Sequence, residues 1–322
     1  MWVYSALRAR SRETVAQLYK SGGGVFANPY LLLAFTTLFW GGNAVAGKLA
    51  VGDLSFIALT FWRWSVACVV LLPIAWPHVV RDWSLICRHR WLLLGLGAIG
   101  FTGFNLNMYW ALQYTSVVNV VIEQAAIPIL IMLFNFMLFR LQVRLLQVVG
   151  LVLALLGVVL TVTSGQPLSI LDSGVNRGDA IMMLAGLCYA VYSVGLRWRP
   201  AMHWLSFLFV LSVSAWLVSF ALWMTESVQI GFSVPTGKAI GLVIYVGIFP
   251  SLLSQLFYAR GVDLIGANRA SLFINLVPVF GSLLAVLLLG EHFRWFHAVG
   301  LVLVAGGIYL AEMAARAKTS AT

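Results

Sequence analysis

The sequence predicts an all-α integral membrane protein with ten transmembrane helices arranged as two inverted five-helix repeats, and three observations predict it. Of the 322 residues, 61% are hydrophobic and only 9% charged, where a water-soluble domain carries about 25% charged residues. The apolar residues fall in runs of roughly 17 to 24, the length a helix rising about 1.5 Å per residue needs to cross about 30 Å of hydrocarbon. The second half also repeats the first at an offset of 150 residues.

Residues 1–29 read as a basic tail carrying Arg8, Arg10, Arg12 and Lys20, with no apolar stretch of signal-peptide length before the first span, so no cleavable leader is expected. Spans follow at 30–51, 55–76, 91–113, 117–139 and 146–163. After a linker at 164–177 come spans at 178–197, 204–224, 239–259, 269–289 and 297–314, and residues 315–322 form a closing tail. Pro73, Pro128, Pro250 and Pro278 lie inside or near the ends of spans. Each marks a candidate kink, tolerable where neighbours satisfy the freed carbonyl. Cys68 and Cys188 lie inside apolar runs and Cys87 in a charged loop, so no disulfide framework is indicated.

Lys and Arg set the orientation. With a cytoplasmic N-terminus, fifteen of them face the cytoplasm, while Lys48, Arg177, Lys238 and Arg294 face outward and Arg63 lies within a span. Ten spans then place both termini in the cytoplasm. Because the basic residues sit in short loops, the net charge of +10 is no nucleic-acid footprint.

The repeat aligns Val148-Val149-Gly150-Leu151-Val152-Leu153 with Ala298-Val299-Gly300-Leu301-Val302-Leu303, and Pro128, Arg144 and Gly157 with Pro278, Arg294 and Gly307. Five spans per half is an odd number, so the second half enters the membrane in the opposite sense. Inverted repeats are the architecture of many alternating-access transporters.

Phe39-Trp40-Gly41-Gly42-Asn43 with Lys48, Arg63 in the second span, and Ala270-Ser271-Leu272-Phe273-Ile274-Asn275-Leu276-Val277-Pro278-Val279 followed by Leu289-Gly290-Glu291 resemble the EamA-type transporters of the drug/metabolite transporter superfamily. The resemblance runs from about residue 30 to 314. It implies a ten-helix inverted fold around a central cavity, in the cell inner membrane, exporting or importing small solutes such as amino acids, nucleosides or drugs. Export is the direction expected by analogy. The sequence departs from the family at Leu138-Phe139-Arg140-Leu141, where the first half lacks the acidic residue that the second half has at Glu291.

An ionisable side chain near the bilayer centre costs at least ~2.5 kcal/mol on insertion scales, so Arg63 and Glu123 call for a role. Counting along the spans puts Arg63 about 12 Å and Glu123 about 9 Å from the outer membrane face, with Asn43, Asn105 and Asn107 at similar depth. Arg63 and Glu123 are therefore expected to face each other. In the functional reading Arg63 attracts an anionic group of the solute and Glu123 binds a proton or a solute amine; in the bland reading they are an ion pair joining two helices. Trp40, Tyr109, Tyr189, Tyr192 and Tyr258, with Trp110, form an aromatic set suited to an amphipathic solute, although helix packing and interfacial belts use the same residues. In the repeat Trp40 falls opposite Tyr189 and Asn43 opposite Tyr192. Asn275 completes the candidate set.

Gly42-Asn43-Ala44-Val45-Ala46-Gly47-Lys48-Leu49 nearly matches a phosphate-binding loop, but it ends in Leu49 and follows no strand. An intramembrane enzyme is the rival class. No His-Glu-x-x-His pair and no paired intramembrane aspartates occur, and His78, His89, His203, His292 and His297 lie in loops or at span ends. A non-transporting scaffold is the other rival, and there is no large soluble domain to carry a signal. Neither a cofactor nor a metal is expected. The expected partners are the lipid bilayer, a small-molecule solute and protons, and no nucleic acid.

Overall fold

The computed structural model describes residues 28–125, 127–140, 145–168, 175–266, 270 and 273–319, with no side chain described at 308 or 311–319. Almost all of the N-terminal tail, residues 141–144 and the middle of the linker lie outside that set. Among the described residues the regular structure is entirely helical.

Helix α1, Pro29–Leu49, starts where the Asn28 side chain accepts the N–H groups of Tyr30 and Leu31, with Pro29 in the first turn. Helix α2, Phe56–Arg88, is capped by Ser55 and runs through Pro73 and Pro77 to well past the expected edge at 76. It continues because Ala75, Val79, Asp82 and Ile86 keep one buried stripe after the apolar run ends. Next come α3, Arg90–Leu96, a π-helical segment Gly97–Gly103, and α4, Phe104–Ala111. The fourth span is broken into α5, Val117–Gln124, and α6, Ile127–Phe139. Helix α7 covers Leu145–Val162, α8 Arg177–Gly195 and α9 Trp204–Ile230. Helix α10, Lys238–Ile248, passes through a second π segment, Phe249–Leu253, into α11, Ser254–Ile265. Helices α12, Val277–Leu289, and α13, Trp295–Thr319, end the bundle.

Eight helical stretches are long and apolar enough to cross a membrane. The last two expected spans fall on shorter apolar helices, Val277–Leu289 and Trp295–Gly307, and residues 269, 271 and 272 of the ninth lie outside the described set. Leucines and valines such as Leu145, Val152, Leu156, Leu287 and Val302 stand exposed on the rim. In a bilayer those side chains meet lipid, a solvent as apolar as they are.

Without a hydrophobic drive between helices, close backbone contact supplies the adhesion. Helix α7 packs along α13, where a methyl on Gly157 would come 2.7 Å from the Gly300 carbonyl oxygen. On α1 a methyl at Gly41 would meet the Gly281 nitrogen of α12 at the same distance. Helix α2 packs on α9; α1 packs on α11 and α12; α8 packs on α4 and α6; α5 meets α12. The largest buried cluster, with Met108, Tyr109 and Val117 to Ile122, lies where α1, α2, α4 and α5 converge.

Candidate functional site

Two features of local sequence shape the bundle interior. Pro250 has no N–H to give to the carbonyl four residues back, and the Ser251 hydroxyl takes that carbonyl instead, donating to Val246 O at 2.7 Å. The helix widens into its second π segment at this point, which turns Ser251 Oγ inward and leaves Pro250 O to accept from Trp40 Nε1 at 3.3 Å. The glycine-rich run Gly97–Gly103 makes the first π segment, and just beyond it Asn105 Nδ2 donates to Phe101 O at 2.7 Å, so its Oδ1 is free to point across the bundle.

Arg63 lies at the convergence and is 4% exposed. Its Nη1 donates to Asn43 Oδ1 at 2.8 Å, Asn105 Oδ1 at 2.7 Å and Tyr109 Oη at 2.6 Å, and its Nε donates to Ser251 Oγ at 2.8 Å. Tyr109 Oη donates in turn to Asn43 Oδ1 at 2.7 Å. The guanidinium carbon stands 5.1 Å from the centre of the Trp64 ring, within cation–π range. Every one of these partners is neutral. The ion pairs among the described residues, Arg81–Asp82 and Lys238–Asp53, lie elsewhere.

The expected facing of Arg63 and Glu123 does not occur. Glu123 is 4% exposed, and no donor group of another residue reaches either of its carboxyl oxygens. Its acidic neighbour is Asp179, in the first turn of α8 and 1% exposed, whose carboxyl group faces it at interaction range. Asp179 Oδ1 accepts from Thr115 Oγ1 at 2.5 Å; Thr115 Oγ1 accepts from Asn119 Nδ2 at 3.3 Å; Asn119 Oδ1 meets His297 Nε2 at 3.2 Å. Counting along the helices does not fix which side of each helix a residue occupies.

Other candidates scatter. Asn107 Nδ2 donates to Gly103 O on its own helix at 2.7 Å and stays out of the Arg63 cluster. Trp40 and Tyr258 pack together beside the second π segment, with centroids 5.7 Å apart. Tyr189 and Tyr192 contact each other at 5.6 Å, with Tyr189 on Phe104 and Tyr192 on Phe101. Tyr192 also lines an apolar groove of about 420 Å³ with Trp91, Ile99, Phe134, Met137 and Trp198. Asn275 sits in the turn ahead of α12, two residues from Phe273, which packs on Tyr30 at the start of α1.

At the end of the bundle where α1 stops, Lys48 Nζ donates to the carbonyls of Leu112 and Thr115 at 2.7 and 2.8 Å. Glu291 accepts the N–H groups of Val117 and Val118 at 2.8 and 3.1 Å. A cation thus meets carbonyls beyond the end of α4 and a carboxylate the N–H end of α5, as helix dipoles favour. Ser251, Thr115, Asn119, Asp179 and His297 were missed from sequence. Only Pro250 beside Ser251 was a signal; Asp179 reads as a span-edge charge and His297 as a surface residue.

The sequence profile of the EamA-like transporter family matches this chain twice, over residues 28–163 and 176–313. The chain is 29% identical to the uncharacterized transporter YyaM of Bacillus subtilis strain 168, over 88% of this chain and 93% of that one. It is 26% identical to an uncharacterized transporter of Archaeoglobus fulgidus, over 87% and 96%. It is 23% identical to the uncharacterized inner membrane transporter YicL of Salmonella typhimurium, over 90% and 97%. A crystal structure at 22% identity superposes with a TM-score of 0.59 over 88% of this chain and 96% of that one, a likeness of fold.

Proposed function

The chain belongs to the EamA-like transporter family, a multi-pass membrane transporter of small solutes, and we propose that it works by alternating access as a secondary exporter, seating an acidic organic solute at Arg63. The observation that carries this reading is the buried guanidinium held only by neutral oxygens. Burying a cation without a counter-charge is costly, and a solute carboxylate would supply that charge at the moment of binding. The four oxygens hold the planar group fixed through Nε and Nη1, which leaves Nη2 as the donor for the solute carboxylate.

Two inverted five-helix repeats, with both termini in the cytoplasm, supply the moving parts. The pattern of contacts supports this, because α1 packing on α11 and α12 has its counterpart in α8 packing on α4 and α6. So do the π segments, since Phe249–Leu253 falls 150 residues after Ile99 to Gly103. The family profile's two matches support the same division. A π segment lacks regular i to i−4 bonding and is a natural place for each half to bend.

The test is uptake by proteoliposomes of a labelled pool of amino acids, nucleosides and cationic drugs, with and without an imposed gradient. Protein-dependent accumulation of an acidic solute is expected, falling at least about 30-fold in Arg63→Gln, the lower range for a lost buried charge contact. Movement of cationic drugs alone would refute the Arg63 assignment; movement of nothing in the pool would refute this solute class.

A further inference from the structure

We infer that Glu123 and Asp179 form one proton-binding site, in which Glu123 is the neutral acid and Asp179 the carboxylate that faces it. The role of that site in coupling rests on the transporter reading; its existence does not.

Two buried carboxylates at interaction range cannot both ionise without a large repulsive cost, so one keeps a proton. The surroundings decide which. Asp179 occupies the first turn of α8, the positive end of a 19-residue helix, whereas Glu123 is the next-to-last residue of α5, at a negative end. Asp179 also stands at the end of a directed chain of donors. His297 Nδ1 accepts the Arg294 N–H at 3.1 Å, which leaves the ring proton on Nε2 to be given to Asn119 Oδ1. Asn119 Nδ2 then donates to Thr115 Oγ1, and Thr115 Oγ1 donates to Asp179 Oδ1. Every step points negative charge toward Asp179. Glu123 has no donor at all, and an ionised carboxylate with none, out of water, is the more expensive of the two.

The remaining charged groups around the pair are already engaged. From α1, Lys48 is bonded to the carbonyls of Leu112 and Thr115; from the turn before α13, Glu291 holds the N–H groups of Val117 and Val118. Arg177 of α8 stacks over Trp110 and Tyr114, and Tyr109 of α4 is bonded into the Arg63 cluster. Arg294 lies beyond His297, while α6, α7 and α12 bring no titratable side chain to the pair. On release, the O–H bond of Glu123 breaks, the proton passes to water, and the pair goes from one negative charge to two. The new repulsion acts between α5 and α8, one from each half of the chain, and drives them apart. Reprotonation lets them close.

The test needs no solute, so its failure is distinct from failure of the transport assay. Infrared difference titration of the reconstituted protein follows the carbonyl stretch that only a protonated carboxyl group shows. Wild type should show the band at neutral pH and lose it as the pH rises, and Glu123→Gln should lack it. Asp179→Asn should keep it, with the midpoint lowered by about one pH unit or more, because the acid then ionises with no like charge opposite. A wild-type band in Glu123→Gln, an unmoved midpoint in Asp179→Asn, or loss of the band on adding sodium at fixed pH would each overturn the inference. If Asp179→Asn does not fold, thermal unfolding decides with Glu123→Gln alone. Wild type should lose stability as the pH rises through release, and the variant, a neutral copy of the acid, should not; equal losses in both would overturn the site.

Discussion

The two polar centres in this bundle are built oppositely. At Arg63 a charge is surrounded by four neutral oxygens contributed by α1, α4 and the second π segment, each itself held by a second contact or by its helix. At Glu123 a carboxyl group is equally buried and has no donor. The first arrangement surrounds a cation with acceptors, and the second leaves an acid without a donor. Intramembrane ionisable groups are usually grouped together as functional, but the count of hydrogen-bond partners separates a fixed charge from a titrating one. One centre is suited to recognising a solute and the other to being switched.

The largest test of that contrast removes each group in turn. Arg63→Ala removes the donor that Asn43, Asn105, Tyr109 and Ser251 share, and should cost about 3 kcal/mol of stability, in the range for breaking a buried charged cluster. Glu123→Gln should cost almost nothing at neutral pH. Thermal unfolding of both in detergent checks the pair, and equal losses would erase the distinction between the centres. Tyr109→Phe is the next step down. It removes one acceptor from Arg63 and one donor from Asn43, with an expected loss of about 1 kcal/mol and weaker solute binding; unchanged stability and uptake would mean that the shell has redundant members.

A smaller effect is expected at the helix ends beside the carboxyl pair. Glu291→Gln keeps an acceptor for only one of the Val117 and Val118 N–H groups and removes the charge at the N-terminus of α5; the charge itself contributes about 0.5 kcal/mol, read as the part of the drop in unfolding temperature that shrinks at high salt. No drop at any ionic strength would mean the charge contributes nothing.

The smallest lies at the opposite end of the bundle, where His203 caps α9 and its ring stacks on His78 at 3.7 Å. Burial, with His78 and Arg81 nearby, holds His203 below the ordinary imidazole value of 6.5. The unfolded chain therefore takes up a proton on acidification before the folded one does, so the contribution of His203 is complete above that value and is lost as the pH falls below it. His203→Asn, which retains a capping side chain, should flatten this acid sensitivity in an unfolding series across mildly acidic pH; an unchanged slope would place it in other groups.

Much of the architecture was legible before any coordinates. The eight long helices coincide with expected spans, and Asn43, Arg63 and Asn105, expected at similar depth, meet together with Tyr109 of the expected aromatic set. The pairing of Arg63 with Glu123 was not there to be read, and Asn107, at the same depth as Asn105, turned back onto its own helix. Asp179 and His297 do not read as site residues because each lies near a span end, where a charged or polar residue is ordinary. The break between α5 and α6 was equally hidden, since the apolar run passes through it without interruption.

By itself the sequence determined the solvent, the number and order of apolar runs, and the position of each polar residue along them. Composition sets the first, and a constant rise of about 1.5 Å per residue turns counting into distance along a helix. Only the tertiary structure decided which side chains face one another. Direction around a helix axis acquires a meaning only when a neighbour is placed, and here that placement depends on close glycine contacts and on two π segments that rotate the chain beyond them. Those determine that Arg63 is held by neutral oxygens and that Glu123 is set against a second carboxyl group.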